Sequence, residues 1–121
     1  MARDTMMSNT VIGAALLLSA GTASAAYFGA CATELNAVEA AILASQFTGA
    51  KASTDQSNLL AKLQTAEAKV TLAKYSDAID KLQDISDTAT ALVSAPKPKL
   101  TDATAINNAV IAATACVGNL R

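Results

Sequence analysis

A cysteine pair constrains this chain more than any other feature, because Cys31 and Cys116 stand near the two ends of what an export signal would leave behind. No charge occurs between Asp4 and Glu34, and Val11 to Ala20 (VIGAALLLSA) is a compact apolar run. Small residues follow, ending in Ala23-Ser24-Ala25, which fits the small-x-small rule for signal-peptidase cleavage. The sequence therefore divides into a signal peptide over residues 1–25 and one helical domain over 26–121, secreted or periplasmic. Arg3 is offset by Asp4, so the leader has an unusual charged start, and Met6 or Met7 is an alternative initiation point.

Two other readings of this segment compete with cleavage. The uncharged stretch is long enough for a retained membrane anchor, which needs roughly 20 apolar residues, although Gly21, Thr22 and Ser24 dilute its second half. Phe28-Gly29-Ala30-Cys31 loosely matches a lipobox, with Cys31 the lipidated residue. A lipobox abuts the apolar run, however, and that run ends at Ala20; lipidation would also leave Cys116 without its partner. A cleaved product with no membrane association is the expectation.

Without Arg3 and Asp4, the nine basic and ten acidic side chains fall to eight and nine, a net charge of −1. No basic footprint exists for nucleic acid or an anionic membrane surface. A domain this small buries only about 60–65% of its unfolded surface, so its stability is marginal. A Cys31–Cys116 disulfide would close almost the whole domain into one loop, worth roughly 4 kcal/mol in the chain-entropy model. The competing readings of the pair are a reactive thiol or a metal site, but no histidine is present to complete a ligand set. Neither a metal nor a cofactor is expected.

Aromatics make up only 3% of the chain, alanine dominates, and the prolines are Pro96 and Pro98. Alanine with scattered leucine suits closely spaced helices, and no Asn-Gly or Asp-Gly turn supports a hairpin. Four helical segments are legible from apolar spacing. The first carries Cys31, Leu35, Val38 and Ile42 on one stripe and ends at Thr48-Gly49-Ala50, with Gly49 as its C-terminal cap. The second opens on a capping box, Ser53-Thr54-Asp55-Gln56, and repeats Leu59, Leu63, Ala66, Val70 and Ala73. Ser76 or Asp77 caps a third, with Ala78 or Ile79, Leu82, Ile85, Ala89, Leu92 and Val93 inward. Ala95-Pro96-Lys97-Pro98-Lys99 stops it as a stiff, exposed connector. Thr101-Asp102 caps the fourth, which buries Ala103, Ile106, Val110, Ala113 and Val117 and ends at Gly118-Asn119. Each helix has one apolar stripe, so the stripes must meet. The fold class is all-α, a small antiparallel four-helix bundle in which the first helix begins where the fourth ends. The cysteines then lie at one end of the bundle, in reach of each other.

Three blocks between Leu59 and Val117 carry a family likeness. Asn58-Leu59-Leu60-Ala61-Lys62-Leu63 is similar to a Ser-Leu-Leu-x-Lys-Leu opening, Ala78-Ile79-x-x-Leu82 to an Ala-x-x-x-Leu centre, and Lys99-Leu100-Thr101 to a Lys-Leu-Thr entry to an alanine-rich last helix. Together they resemble the FIMAH-type helical modules of large secreted bacterial proteins and glycan-active enzymes. The resemblance implies a non-catalytic accessory role in attachment or in positioning partners outside the cell. It transfers no site residues, because these are core and capping positions, and the cysteine pair departs from the family pattern. Ala73 to Ile79 also resembles the turn of a tetratricopeptide repeat, but that pattern needs about three stacked copies and only one is present.

Asp77, Asp80, Asp84 and Asp87 step along one side of the third helix. Such a row is either a solvated face or a docking surface; a straight helical row cannot converge the six to eight oxygens that calcium takes. Asp77 and Lys81 make a favourable pair four residues apart. Lys97, between the prolines, and Lys99, just after them, are candidates for contact with an anionic glycan. Phe47 and Tyr75 lie at helix ends and are expected to close the core, while Tyr27 and Phe28 form an exposed apolar tail. Without histidine, Ser-His-Asp and Cys-His catalysis are impossible; the acids lie on exposed positions and no glycine loop is present to hold phosphate. The expected function is therefore non-enzymatic: a secreted interaction or adhesion module acting by contact with an envelope component, a glycan or an exported protein, as a monomer or weak homodimer. The alternative is a small carrier of an apolar ligand in the bundle core.

Overall fold

Residues 26–121 are described by a computed structural model, in which four helices follow one another: α1 (Ala32–Ala44), α2 (Ala52–Thr71), α3 (Tyr75–Ser94) and α4 (Thr104–Gly118). The predicted signal peptide and alternative starts lie outside the described residues. The all-α antiparallel bundle stands as the sequence predicts. Each helix packs on its chain neighbours, and α1 packs on α4, closing a four-membered ring around one core.

The predicted stripes supply that core. Leu35, Val38 and Ile42 of α1 meet Leu59, Leu63, Ala66 and Val70 of α2. Ala78, Leu82, Ile85 and Ala89 of α3 and Ile106, Val110, Ala113 and Val117 of α4 complete it. Each fully buried leucine or isoleucine contributes about 2 kcal/mol by leaving water. The buried alanines set how closely the helices approach, so a larger side chain at Ala66, Ala89 or Ala113 would overpack the seam.

Helix starts depart from the sequence expectations. The capping box at Ser53 does not form: α2 begins at Ala52, one residue earlier, with Lys51 at the cap and no side-chain cap bond. The amide of Ala52 already donates to the Gly49 carbonyl at 3.3 Å, so the turn before Ser53 opens the helix. Gln56 instead donates to the Ile42 carbonyl at 3.3 Å, tying α2 to the last turn of α1. Likewise α3 starts at Tyr75, which places Ser76 and Asp77 inside the first turn rather than at the cap. Ala73 is not core; it is exposed at φ 60°, turning the chain between α2 and α3. That left-handed conformation costs an alanine roughly 1 kcal/mol. Gly49 is not the cap of α1 either, because α1 ends at Ala44 and Ser45 is extended; Gly49 uses φ 91° further along the connection. The cap of α4 is Ala103 rather than Asp102, but Asp102 still meets the helix start from one residue outside it: its carboxylate accepts the Thr104 amide at 2.9 Å. The Thr104 hydroxyl, with that amide, holds the Asp102 carboxyl below the usual range.

The two ends of the bundle are closed differently. At one end Cys31 and Cys116 form the expected disulfide, with 6.0 Å between Cα atoms and 85 residues of separation. At the other, Phe47 and Leu100 pair as an isolated antiparallel bridge. The Thr48 amide donates to the Lys99 carbonyl at 3.0 Å, and the Thr101 amide to the Gln46 carbonyl at 3.2 Å. Leu100 is fully buried there. No helix among the described residues is long and apolar enough to cross a membrane.

Candidate interaction surface

Charge is divided unevenly around the ring. The 15 residues of α4 include no charged side chain, and the 13 of α1 include only Glu34 and Glu39. By contrast, α2 and α3 carry charges of both signs along their length. The predicted acidic row on α3 lies within this charged half, but it does not act as one strip. Asp84 is half-buried and accepts an ion pair from Lys62 of α2 at 2.8 Å, above an open groove of about 460 Å³ between α2 and α3. Both partners remain partly exposed, so the pair is worth less than about 1 kcal/mol. Asp77, Asp80 and Asp87 are exposed. Among the described residues no ion pair joins Asp77 to Lys81, so the predicted neutralisation is not made there.

Asp80 and Asp87, seven residues apart, are exposed on the outer side of α3, and Asp87 reaches the seam between α3 and α4. Between the two helices runs an open groove of about 470 Å³ whose lining includes Asp87, Gln83, Val110, Ile111 and Thr114. Ile111 is 67% exposed on its α4 rim, outside the buried stripe of that helix. From Ser86, which also lines the groove, the seam continues as polar contacts: Ser86 donates to Asn107 at 2.7 Å, and Asn107 to Thr90 at 3.4 Å. Among the described residues two buried side-chain oxygens have no hydrogen-bond partner, Asp55 Oδ2 in the first turn of α2 and Thr114 Oγ1 beside this groove. Such an orphan costs about 1–3 kcal/mol until a partner meets it. Sequence reasoning missed Ile111 and Thr114. Their available signal was a large aliphatic residue off the core stripe in a helix without charge.

The other predicted contact residues do not join this groove. Lys97 and Lys99 are exposed at the bridge end, where the Thr48 hydroxyl donates to the Pro98 carbonyl at 3.0 Å and holds the connector down. Phe47 and Tyr75 are half-buried against the core, as expected. The apolar tail is half corrected. Phe28 is 88% exposed, but Tyr27 packs on the core and is clasped by Asn36, which accepts its amide at 3.1 Å and donates to its carbonyl at 2.7 Å.

Glu67 is the one carboxyl strongly displaced upward among the described residues. Burial, and then the charge of Glu39 facing it from α1, push it up to about 7. Burial also raises the nearby Tyr27 phenol. Cys31, Glu34 and Cys116 lie close enough together to suggest a metal set. The two sulfurs are bonded to each other, however, which leaves Glu34 as a lone ligand. In the core Leu35, Leu59, Leu82, Ile85 and Ile106 are wholly excluded from solvent, and the grooves beside α3 are open and external. The chain matches no protein-family model, no curated protein and no solved structure.

Proposed function

We propose that this protein is an exported, non-enzymatic helical module that works by surface contact with an envelope component, a glycan or another exported protein. The uneven charge around the bundle carries this reading: one pair of helices is solvated by charge, and the other presents exposed small and aliphatic residues with almost none. A face stripped of charge over a filled core suits contact rather than enclosure. The disulfide accords with an oxidising compartment, and the FIMAH-like blocks accord with an accessory role.

Photo-crosslinking in the exporting host, with the probe placed in turn on each helix, tests the reading. Adducts concentrated on exposed positions of α4 and α1 are the expected result. A small apolar molecule retained through purification and released only on unfolding, seen by native mass spectrometry, would instead establish the carrier.

A further inference from the structure

We infer that Glu34 guards the Cys31–Cys116 disulfide electrostatically, slowing its reduction by anionic thiols and selecting cationic thiols as the class that opens it. Cys31 stands at the cap of α1 and Glu34 in its first turn, three residues on, so the two share one side of the helix. The last turns of α4 bring Cys116 to the same place, and a carboxylate oxygen of Glu34 lies within 4.8 Å of both sulfurs. All three residues are half-buried, so the bond is neither sealed in the core nor fully bathed in water. Among the described residues no ion pair holds Glu34. The two helices that carry the bond supply no cation either: α4 has no charged side chain, and the other charge on α1 is Glu39, a second acid.

Reduction brings negative charge to this point. A thiolate attacks one sulfur in line with the S–S bond; a new S–S bond forms as the old one breaks, and the electron pair leaves on the other sulfur. A second thiolate then displaces the first, so the reductant ends as a disulfide, and the two thiolates left on the protein take protons from water. In the first step the charge is spread over three sulfurs, two of which lie beside the Glu34 carboxylate. At that separation in a half-wet site, repulsion slows the step by about tenfold. A negative tail on the attacking thiol adds to the repulsion, and a positive tail offsets it.

The test treats the purified disulfide-bonded chain with three small thiols of different charge: mercaptoethanesulfonate, mercaptoethanol and cysteamine. Aliquots are acid-quenched and alkylated, the opened bonds are counted by mass, and rates are compared per unit of thiolate. Cysteamine is expected to be fastest and the sulfonate slowest, about tenfold apart, with the spread narrowing as salt is added. Glu34→Gln should raise the sulfonate rate by about tenfold, leave the cysteamine rate nearly unchanged and so collapse the ranking. Losing an acid from the first turn also weakens the start of α1, but that structural effect speeds all three thiols alike. Glu34→Asp, which keeps the charge, and Glu39→Gln, which removes a charge elsewhere on the same helix, should both keep the ranking. Equal rates for the three thiols, or a ranking that survives Glu34→Gln, overturns the proposal. So do rates independent of thiol concentration, which would mean that the bond opens only after the chain unfolds and that nothing guards it in the folded state.

Discussion

At one end of the bundle Cys31 and Cys116 join α1 to α4 covalently, whereas at the other Phe47 and Leu100 meet only through backbone hydrogen bonds and apolar burial. Both closures join the same pair of chain regions, the flanks of α1 and α4, but they act on different states. The disulfide acts mainly on the unfolded chain, by limiting how far its ends can separate. The bridge acts only on the folded chain, because Leu100 must be in place before it buries anything. The disulfide end should therefore hold its geometry during partial opening, and the bridge end should open first.

The largest effect should come from removing the covalent end. Cys31→Ser with Cys116→Ser is expected to lower unfolding free energy by about 4 kcal/mol in denaturant titration. A loss under 1 kcal/mol would mean that the bridge already restrains the chain as well as sulfur does. Next, Leu100→Ala should lower it by about 3 kcal/mol through the cavity left behind. Hydrogen exchange in that variant should accelerate at Thr48 and Thr101 and leave the turns around Cys31 protected; uniform acceleration would erase the distinction between the ends.

The third effect is a pH dependence rooted near the disulfide end, where Glu67 lies one turn from the end of α2. Its folded value is raised from 4.5 to about 7, so between those limits the folded state binds more protons than the unfolded state. Stability from this group is present below about pH 4.5 and is lost as pH rises through 7. Thermal melting should fall across that window, and Glu67→Gln should flatten the profile. A wild-type curve that rises between pH 5 and 7 would contradict the assignment. Its size is intermediate, because Glu67 is only half-buried and solvent screens it.

Two smaller changes complete the set. Thr48→Val removes the hydroxyl bond to Pro98 at the bridge end, costing about 1 kcal/mol and loosening the connector first. Ala73→Gly, at the turn beside the disulfide end, should add up to about 1 kcal/mol by relieving a left-handed alanine. Denaturation midpoints check both, and a destabilised Ala73→Gly would show that flexibility in the unfolded chain outweighs the strain.

The apolar stripes were legible because burial repeats with the helix period: Leu35, Val38 and Ile42 could face inward together in no other regular structure. The cysteine pairing was legible because an up-down bundle returns its last helix to the starting end. Helix starts were less legible. Ser53 and Ser76 are good caps in isolation, but the incoming connections open each helix before its hydroxyl can act. Leu100 was legible only through the family likeness, because it stands between two helices, where no periodicity marks it. The acidic row was legible as a row, but the pairing of Asp84 with Lys62 of α2 was not, because it joins residues of different helices.

The order of residues alone thus determined the helices, the inward faces and the covalent link, all of which depend on spacing along the chain. Which side chains share a groove, which carboxylate is neutralised and which hydroxyl is left without a partner were decided by the approach of α3 to α4 and of α2 to α3. Those relations join residues distant in the chain, and burial and charge act through space, so helical spacing does not encode them.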